Sequence, residues 1–473
     1  MATTAMKIIL EHYGVKQCDY IIPDRLNDGY GIKEKHVDRA LEMGAEVIIT
    51  VDNGISANNV IDYGKSNGLV MIVTDHHIPD MENLPNADIL VNPHVTNDRH
   101  EHICGAFVAL KLGNALLDPS KKEDEYVLKD AALFAAVATV SDVMPLVGEN
   151  RLLVKYVLDN INYYKERKLW AGRTLKFLAG FGVGRWIMDD KDTYITEDTF
   201  GYYVGPTINA SGRVNGETED IVSDIIGSNE YGTYINGYRE VNRERQEKTR
   251  DIFKEHVANP EENIGFMVID ADKYDYPIGG LIGLVANRIS DKEQKPAFVG
   301  TEKDGTLSFS CRSVPGYSLY EGLNRFLKAN PDTTVDGGGH DGAIGIRVGN
   351  PEKDLQLLKE HFEKDYAENA HDVDENVFIF EDYYTTEIFD AHYNLAPYGK
   401  GFEKLKFSYT GTVTKYDEYN RILYIDNRPF RTFIYSDYLP EQGKQVNIIF
   451  TAMTDSAVFD QFKIEELEIV QEM

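Results

Sequence analysis

Two apolar runs of the chain end in acids. Val47-Ile-Ile-Thr-Val51 delivers Asp52-Asn-Gly54, and Val70-Met-Ile-Val-Thr74 delivers Asp75, His76 and His77 one β/α unit later. In an open parallel sheet ligands bind beyond the carboxyl ends of the strands, which is where these side chains would fall. A third acid, Asp142, follows the apolar stretch Ala131 to Val140 in the string Thr139-Val-Ser-Asp-Val-Met-Pro145. Carboxylate oxygen together with imidazole nitrogen suits Mn²⁺ or Mg²⁺, and no cysteine stands beside these acids to favour zinc. Two such ions about 3.5–4 Å apart can activate a water and stabilise the leaving oxygen of a phosphoester. One aspartate after a strand is ordinarily an acid at a turn, and one histidine ordinarily a packed core residue. Two consecutive histidines after a strand aspartate, converging with two further acids, are not readily explained by packing, so the three strings together predict a metal site.

The elements that must position these residues follow from periodicity. Strands are predicted over Cys18 to Pro23, Glu46 to Val51, Leu69 to Thr74 and Ala87 to Val91, and helices over Lys35 to Met43 and Ala57 to Lys65, the second capped by Ser56. This is a mostly parallel α/β sheet with helices on both faces. Ala2 to His12 already reads as a helix with no strand before it. Residues 125 to 180 read as mainly helical and carry a basic cluster (Arg151, Lys155, Lys165, Arg167, Lys168, Arg173, Lys176), either a solvated helix face or a phosphate contact. The polar stretch from Glu217 to Val257 suits a long connecting helix. A second α/β unit begins at Gly265 and includes Asp336-Gly-Gly-Gly-His340, read as a loop, and a strongly acidic helix over about Glu352 to Asp372 closes it. The remainder alternates in short β-rich runs, as in a small barrel.

Length and charge bound the function. At 473 residues the chain holds about three domains. Forty-nine Lys+Arg against 78 Asp+Glu leave a net charge of −29, which repels a polyanion at long range, so any nucleic-acid site must be a local groove. Three widely spaced cysteines (Cys18, Cys104, Cys311) fit neither a disulfide framework nor a zinc site, and a reducing cytoplasm is the simplest compartment. The longest apolar run is about half of the ~20 residues a membrane-spanning helix needs, and no secretory signal is legible.

Asp75-His76-His77 resembles the signature of the DHH phosphoesterase superfamily, and within it the chain is similar, almost end to end, to the RecJ family of single-strand-specific 5′-to-3′ DNA exonucleases. The other matching strings are Ile22-Pro-Asp-Arg25 with Asp28-Gly-Tyr-Gly31, Val51-Asp-Asn-Gly54, Cys104-Gly-Ala106, Thr139 to Leu146, Ile208-Asn-Ala-Ser-Gly-Arg213, Arg312-Ser313 and Gly338-Gly-His-Asp-Gly-Ala-Ile-Gly345. The resemblance implies a bimetal centre in which Asp52 bridges the ions while His76 and Asp142 complete one of them. Asp75 and His77 would support the site and the scissile phosphate. It implies a DHH domain over 1–216, a connecting helix over 217–258, a DHHA1-type domain over 259–376 and an OB-like β domain over 377–473, introduced by Leu395-Ala-Pro-Tyr-Gly399. Substrate contacts would come from Asn209, Arg213, Arg312, Ser313, Gly338, Gly339 and His340. Glycines expose N–H donors to an anion and Arg312 can grip two phosphate oxygens, although a tight turn or a surface ion pair would explain each equally when taken alone. The partner would be single-stranded DNA, with aromatic and basic residues of the barrel (Tyr416, Tyr424, Arg428, Phe430, Arg431) serving either as base platforms or as core.

The chain departs from the family pattern at one place. The family's first motif, an Asp-x-Asp-x-Asp-Gly type loop, is not found in it, and Met1-Ala-Thr-Thr-Ala5 resembles the helix that follows that loop. The expectation is an N-terminally truncated sequence: a start assigned too late, a split gene whose other polypeptide supplies the loop, or a non-catalytic descendant. On that expectation an extended form cleaves single-stranded DNA with Mn²⁺ and the chain as written is weak or inactive. Two other classes stay open, a non-catalytic replication scaffold or nucleic-acid-binding protein, and an oligonucleotide or cyclic-dinucleotide phosphodiesterase, the latter disfavoured by the C-terminal barrel.

Overall fold

The computed structural model describes residues 1–24, 27–29, 31–96, 98–100, 102–160, 195–214, 219–227, 231–371, 377–379, 391–392, 394–432, 439–453 and 461–470. Helices α1 (Ala2–Tyr13) and α2 (Glu34–Glu42) precede β1 (Val47–Val51), α3 (Asn58–Ser66), β2 (Val70–Thr74) and β3 (Ile89–Val91). The strands pair in parallel in the order β1-β2-β3, with Val51 opposite Thr74 and Thr74 opposite Val91. Asp52 and Asp75 therefore leave neighbouring strands at the same carboxyl edge. Cys18 to Pro23 is not a strand: it joins no ladder, because strand propensity is realised only against a cross-strand partner. Nor does Ser56 cap α3. The backbone turns from Gly54 to Ala57, which takes the cap position without a side-chain bond.

Three further helices follow, α4 (Gly105–Leu116), α5 (Lys122–Ser141) and α6 (Gly148–Asp159). Every residue of α5 from Ala131 to Val137 is buried, as expected of a helix that is apolar all round. α1 packs on α4 and α5 and buries Ala5, Met6, Ile8 and Ile9, so it is a core helix. Residues 165 to 176 of the basic cluster lie outside the described residues. The two described members make local contacts: Lys155 pairs with Asp159, and Arg151 donates to the Leu395 carbonyl.

A π-helical turn (Thr199–Val204) runs into α7 (Gly205–Val214), followed by α8 (Glu219–Gly227) and the long α9 (Tyr231–Phe253). The second unit is a mixed sheet in the order β4-β5-β6-β8-β7, built from β4 (Gly265–Ile269), β5 (Ala297–Lys303), β6 (Thr306–Arg312), β7 (Val335–His340) and β8 (Ala343–Val348), with α10 (Ile282–Glu293), α11 (Leu319–Ala329) and α12 (Pro351–Asn369). The glycine run is thus an edge strand and not a loop. Three glycines stay in register because Gly337 and Gly339 lie where a Cβ would stand 2.4 and 2.3 Å from carbonyls of β8.

The C-terminal sheet contains β9 (Val377–Ile379), β10 (Lys406–Asp417), β11 (Ile422–Ile425), β12 (Arg428–Arg431), β13 (Gln445–Met453) and β14 (Gln461–Ile469). β10 pairs with β11, β11 with β12, β12 with β14, β14 with β13, and β13 again with β10. Five strands thereby close a ring, the topology expected of an OB-like unit, around a core that includes Phe430, Phe450 and Phe462. Among the described residues no helix is long and apolar enough to cross a membrane.

Candidate metal centre

At the carboxyl edge of β1 and β2 the ligand-capable atoms of Asp52, His76 and His77 all lie within 4.8 Å of one another. His76 Nε2 is 3.0 Å from Asp52 Oδ1 and 3.7 Å from Asp142 Oδ2, so one imidazole edge stands between two carboxylates drawn from β1 and from the end of α5. The side chain of His76 is buried, whereas those of Asp52 and Asp142 are about half exposed on the open side. Asp52, His76 and Asp142 therefore meet, and His77 joins them more closely than sequence alone indicated.

Asp75 occupies a different layer. It is 1 % exposed and accepts hydrogen bonds from the backbone N–H of Ile55, His76 and His77 and from His77 Nδ1 at 2.7 Å. An ionised carboxylate can only accept, so Nδ1 carries the proton and Nε2 of His77 is turned outward. Burial alone would raise the Asp75 carboxyl, but the bond from His77 and the backbone donors hold it below its ordinary value. The same bond raises His77. Asp142 is raised by desolvation in its cleft and by the neighbouring Asp52 charge, against the pull of His76 and His77.

The local backbone is bent to make this arrangement. Asp52 has φ 67° and Val143 φ 53°, left-handed values that are uncommon for Asp and unusual for a β-branched residue, and each lies at or beside a carboxylate of the cluster. Gly105, the first residue of α4, comes so close that a Cβ there would stand 2.3 Å from Asp52 Oδ1. The N-terminus of α4 thus faces the Asp52 carboxylate, whose charge its dipole favours. Cys104, just before it, is buried, and desolvation pushes its thiol up to about 12, so it stays neutral beside the acids.

The second unit comes within electrostatic reach of this edge. His340 ends β7, and its imidazole is pushed below its ordinary value by burial and then by the positive charges of Lys400 and Arg312, with a smaller contribution from His77. Arg312 donates to Ser310 Oγ at 3.2 Å and to the Cys311 carbonyl at 2.8 Å. Ser313 is engaged locally: its hydroxyl donates to the Tyr317 carbonyl, and its N–H to the carbonyl of Gly342 in the β7–β8 turn. Gly338 has open space where a Cβ would be, and Gly339 has φ 146°. As β7 is an edge strand, alternate N–H groups along it point away from β8.

Asn209 and Arg213 lie on α7. Asn209 is exposed, and Arg213 Nη1 donates to the Gly280 carbonyl at 3.2 Å. Gly280 lacks a Cβ where one would lie 2.5 Å from the Arg213 carbonyl, which is how the two units approach closely. Gly105 and Lys400 were not identified from the sequence. Cys104-Gly-Ala106 was a visible signal for the first, but nothing local marks the second.

Comparison with known proteins places this geometry. Residues 1–139 match the DHH family N-terminal domain and residues 274–368 match the DHHA1 domain. The chain therefore holds a DHH N-terminal domain followed by a DHHA1 domain. It is also similar in sequence to RecJ proteins. It is 26 % identical over 380 residues to the single-stranded-DNA-specific exonuclease RecJ of Escherichia coli (strain K12), covering 76 % of this chain and 63 % of that protein. The chain thus spans less than two thirds of that relative's length. A crystal structure of RecJ from Thermus thermophilus in complex with Mn²⁺ superposes with a TM-score of 0.74 at 21 % identity, over 100 % of this chain and 68 % of that one. A second, of exonuclease RecJ bound to manganese, gives a TM-score of 0.54 at 26 % identity over 77 % of this chain and 88 % of that one.

Proposed function

We propose that the chain is a divalent-metal-dependent exonuclease that hydrolyses phosphodiester bonds of single-stranded DNA from the 5′ end, in DNA recombination or repair. The observation that carries this is His76 Nε2 set between Asp52 and Asp142, with His340 of the DHHA1 domain within electrostatic reach of His77. The donor set fits the ion: two half-exposed carboxylates and an imidazole, with no thiolate, favour Mn²⁺ or Mg²⁺, the ions of the RecJ relatives. Asp52, His76 and Asp142 would hold it. When bound, such an ion polarises a phosphoryl oxygen and lowers the pKa of a water.

The chain's own residues do the rest. His77, fixed by Asp75, presents Nε2 to the scissile phosphate. Gly338 and Gly339, one of which turns its N–H away from β8, hold a phosphate from the other side together with His340 and Arg312, and Ser313 fixes the turn that carries them. Asn209 and Arg213, on α7, would add contacts to the same strand. The domain limits at 258 and, outside the described residues, at 216 and 376 belong to this reading. So does a polypeptide partner that brings further carboxylates to the open side of Asp52 and Asp142.

The test is cleavage of 5′- and 3′-labelled single- and double-stranded oligonucleotides with Mn²⁺, Mg²⁺ or EDTA, comparing the wild type with Asp142→Ala. Loss of single-strand cleavage in the variant supports the reading. Cleavage unchanged by Asp142→Ala, or a wild type that stays inert even together with such a partner, refutes it in favour of a scaffold.

A further inference from the structure

The segment Leu395 to Lys404 belongs to neither nuclease domain, yet it is fastened to the loop that follows Asp142. The Leu146 N–H donates to the Lys400 carbonyl at 2.7 Å. Gly399 lies where a Cβ would stand 2.8 Å from Leu146 Cδ1, and Gly401, with φ 79°, packs on Val147 and Pro145. Gly399 and Phe402 bridge the tight turn between them. Arg151 of α6 clamps its two sides, donating to the Leu395 carbonyl and covering the Phe402 ring at 4.1 Å. Tyr398 is buried between His392 and Phe402, and Lys404 is tied to Asp198. The turn is held on every side, and what stays uncommitted at its tip is the Lys400 side chain.

The tip is bonded to the loop directly after Asp142 and lies within electrostatic reach of His340. Its side chain is exposed, and among the described residues no ion pair is made by its ammonium. In a chain of net charge −29, Lys400 and Arg312 both act electrostatically on His340, so a lysine whose backbone is fastened here adds positive charge on the His340 side of the site. A backbone fastened this firmly spends little further ordering on binding, which is what makes a single charged contact count.

We propose that Lys400 is a phosphate contact for the bound strand, supplied by the segment that introduces the C-terminal ring and aimed by the Leu146–Lys400 backbone bond. This rests on the nuclease reading above and names a binding residue that the DHH and DHHA1 domains do not contain. A lysine binds phosphate as a point charge without base readout, so its contribution is sequence-independent and sensitive to salt.

The test is equilibrium binding of fluorescein-labelled oligo-dT and a mixed-sequence strand of the same length, in EDTA so that nothing is cleaved, across a salt series. Lys400→Ala is expected to weaken both strands by about five- to tenfold at low salt and to reduce the slope of log K against log salt by about 0.7, one phosphate's share for a single strand. Lys400→Arg keeps the charge and should retain wild-type affinity. Lys364→Ala, on the exposed face of α12, should change nothing. If the wild type binds and Lys400→Ala binds equally well, or if Lys400→Arg loses as much as Lys400→Ala, this inference is overturned alone. A wild type that binds neither strand overturns the nuclease reading.

Discussion

His77 Nδ1 and Asp75 Oδ1 lie 2.7 Å apart, and through this contact a fully buried carboxylate orients an imidazole that is itself mostly exposed. The same carboxylate fixes the backbone of the turn through Ile55, His76 and His77. Asp75→Asn keeps the shape but removes the charge and offers one acceptor oxygen instead of two. Partners of this kind are generally worth about 10- to 100-fold in metal affinity. Calorimetric titration with Mn²⁺ should show a loss of that size while the circular dichroism spectrum is unchanged; unaltered affinity would mean that Asp75 serves folding alone.

Gly105→Ala tests how Asp52 is placed. The added Cβ would fall 2.3 Å from Asp52 Oδ1 and 2.5 Å from Asp52 Cβ, so either α4 or the strand-end turn must move. Alanine is a better helix former than glycine, and overpacking typically costs about 1–3 kcal/mol, so the chain should still fold. The expected outcome is at least a tenfold loss of Mn²⁺ affinity with α4 intact, read by electron paramagnetic resonance of free Mn²⁺. Full affinity in the variant would show that Asp52 does not need its observed position.

Much of this site could be read from the chain. Apolar runs ending in Asp52 and in Asp75, His76 and His77 give parallel strands and their carboxyl ends, because strand period and burial dictate both. Asp142 was visible as the acid after an apolar helix. What could not be read depends on contacts distant in sequence. Lys400 is placed by a bond to Leu146, and Gly105 matters because of Asp52, neither of which leaves a local periodic signal. The glycine run before His340 looked like a loop because glycine is rare in strands, yet close carbonyls of β8 require it there. Cys18 to Pro23 failed in the opposite sense, with strand-like composition and no neighbour to pair with.

Asp365 is the anchor of the DHHA1 core, and Arg325 grips it in bidentate fashion through Nε at 2.7 Å and Nη2 at 2.8 Å while Tyr317 donates a third bond. Burial would raise this carboxyl, but those donors hold it below its ordinary 3.8. Its stabilising contribution is therefore complete above about pH 4 and is lost as pH falls through the depressed value. Arg325→Ala leaves Asp365 buried without its cation and should cost about 2 kcal/mol, less than for a fully buried pair because Arg325 is 38 % exposed. Arg325→Met with Asp365→Asn should be milder than Arg325→Ala alone. Urea midpoints of the three proteins check the order, which is reversed if the pair contributes nothing.

The pH dependence of metal stabilisation follows from the same cluster and runs against that of the metal-free fold. His77 is raised above 6.5 by its bond to Asp75, so in EDTA the stability it contributes is full below 6.5 and is lost as pH rises through the folded-state value. Bound metal requires deprotonated donors, so the cation competes with the proton on the raised carboxyl of Asp142 at lower pH, and its positive charge disfavours the proton on neighbouring His77. Raising pH from about 6 to 8 should therefore widen the gap in melting temperature between Mn²⁺ and EDTA samples, as His77 gives up its proton. His77→Asn should reduce the pH dependence over that interval while leaving a smaller gap from Asp52, His76 and Asp142. A gap equally wide at both ends of the range in the wild type would mean that His77 does not share the ion's surroundings.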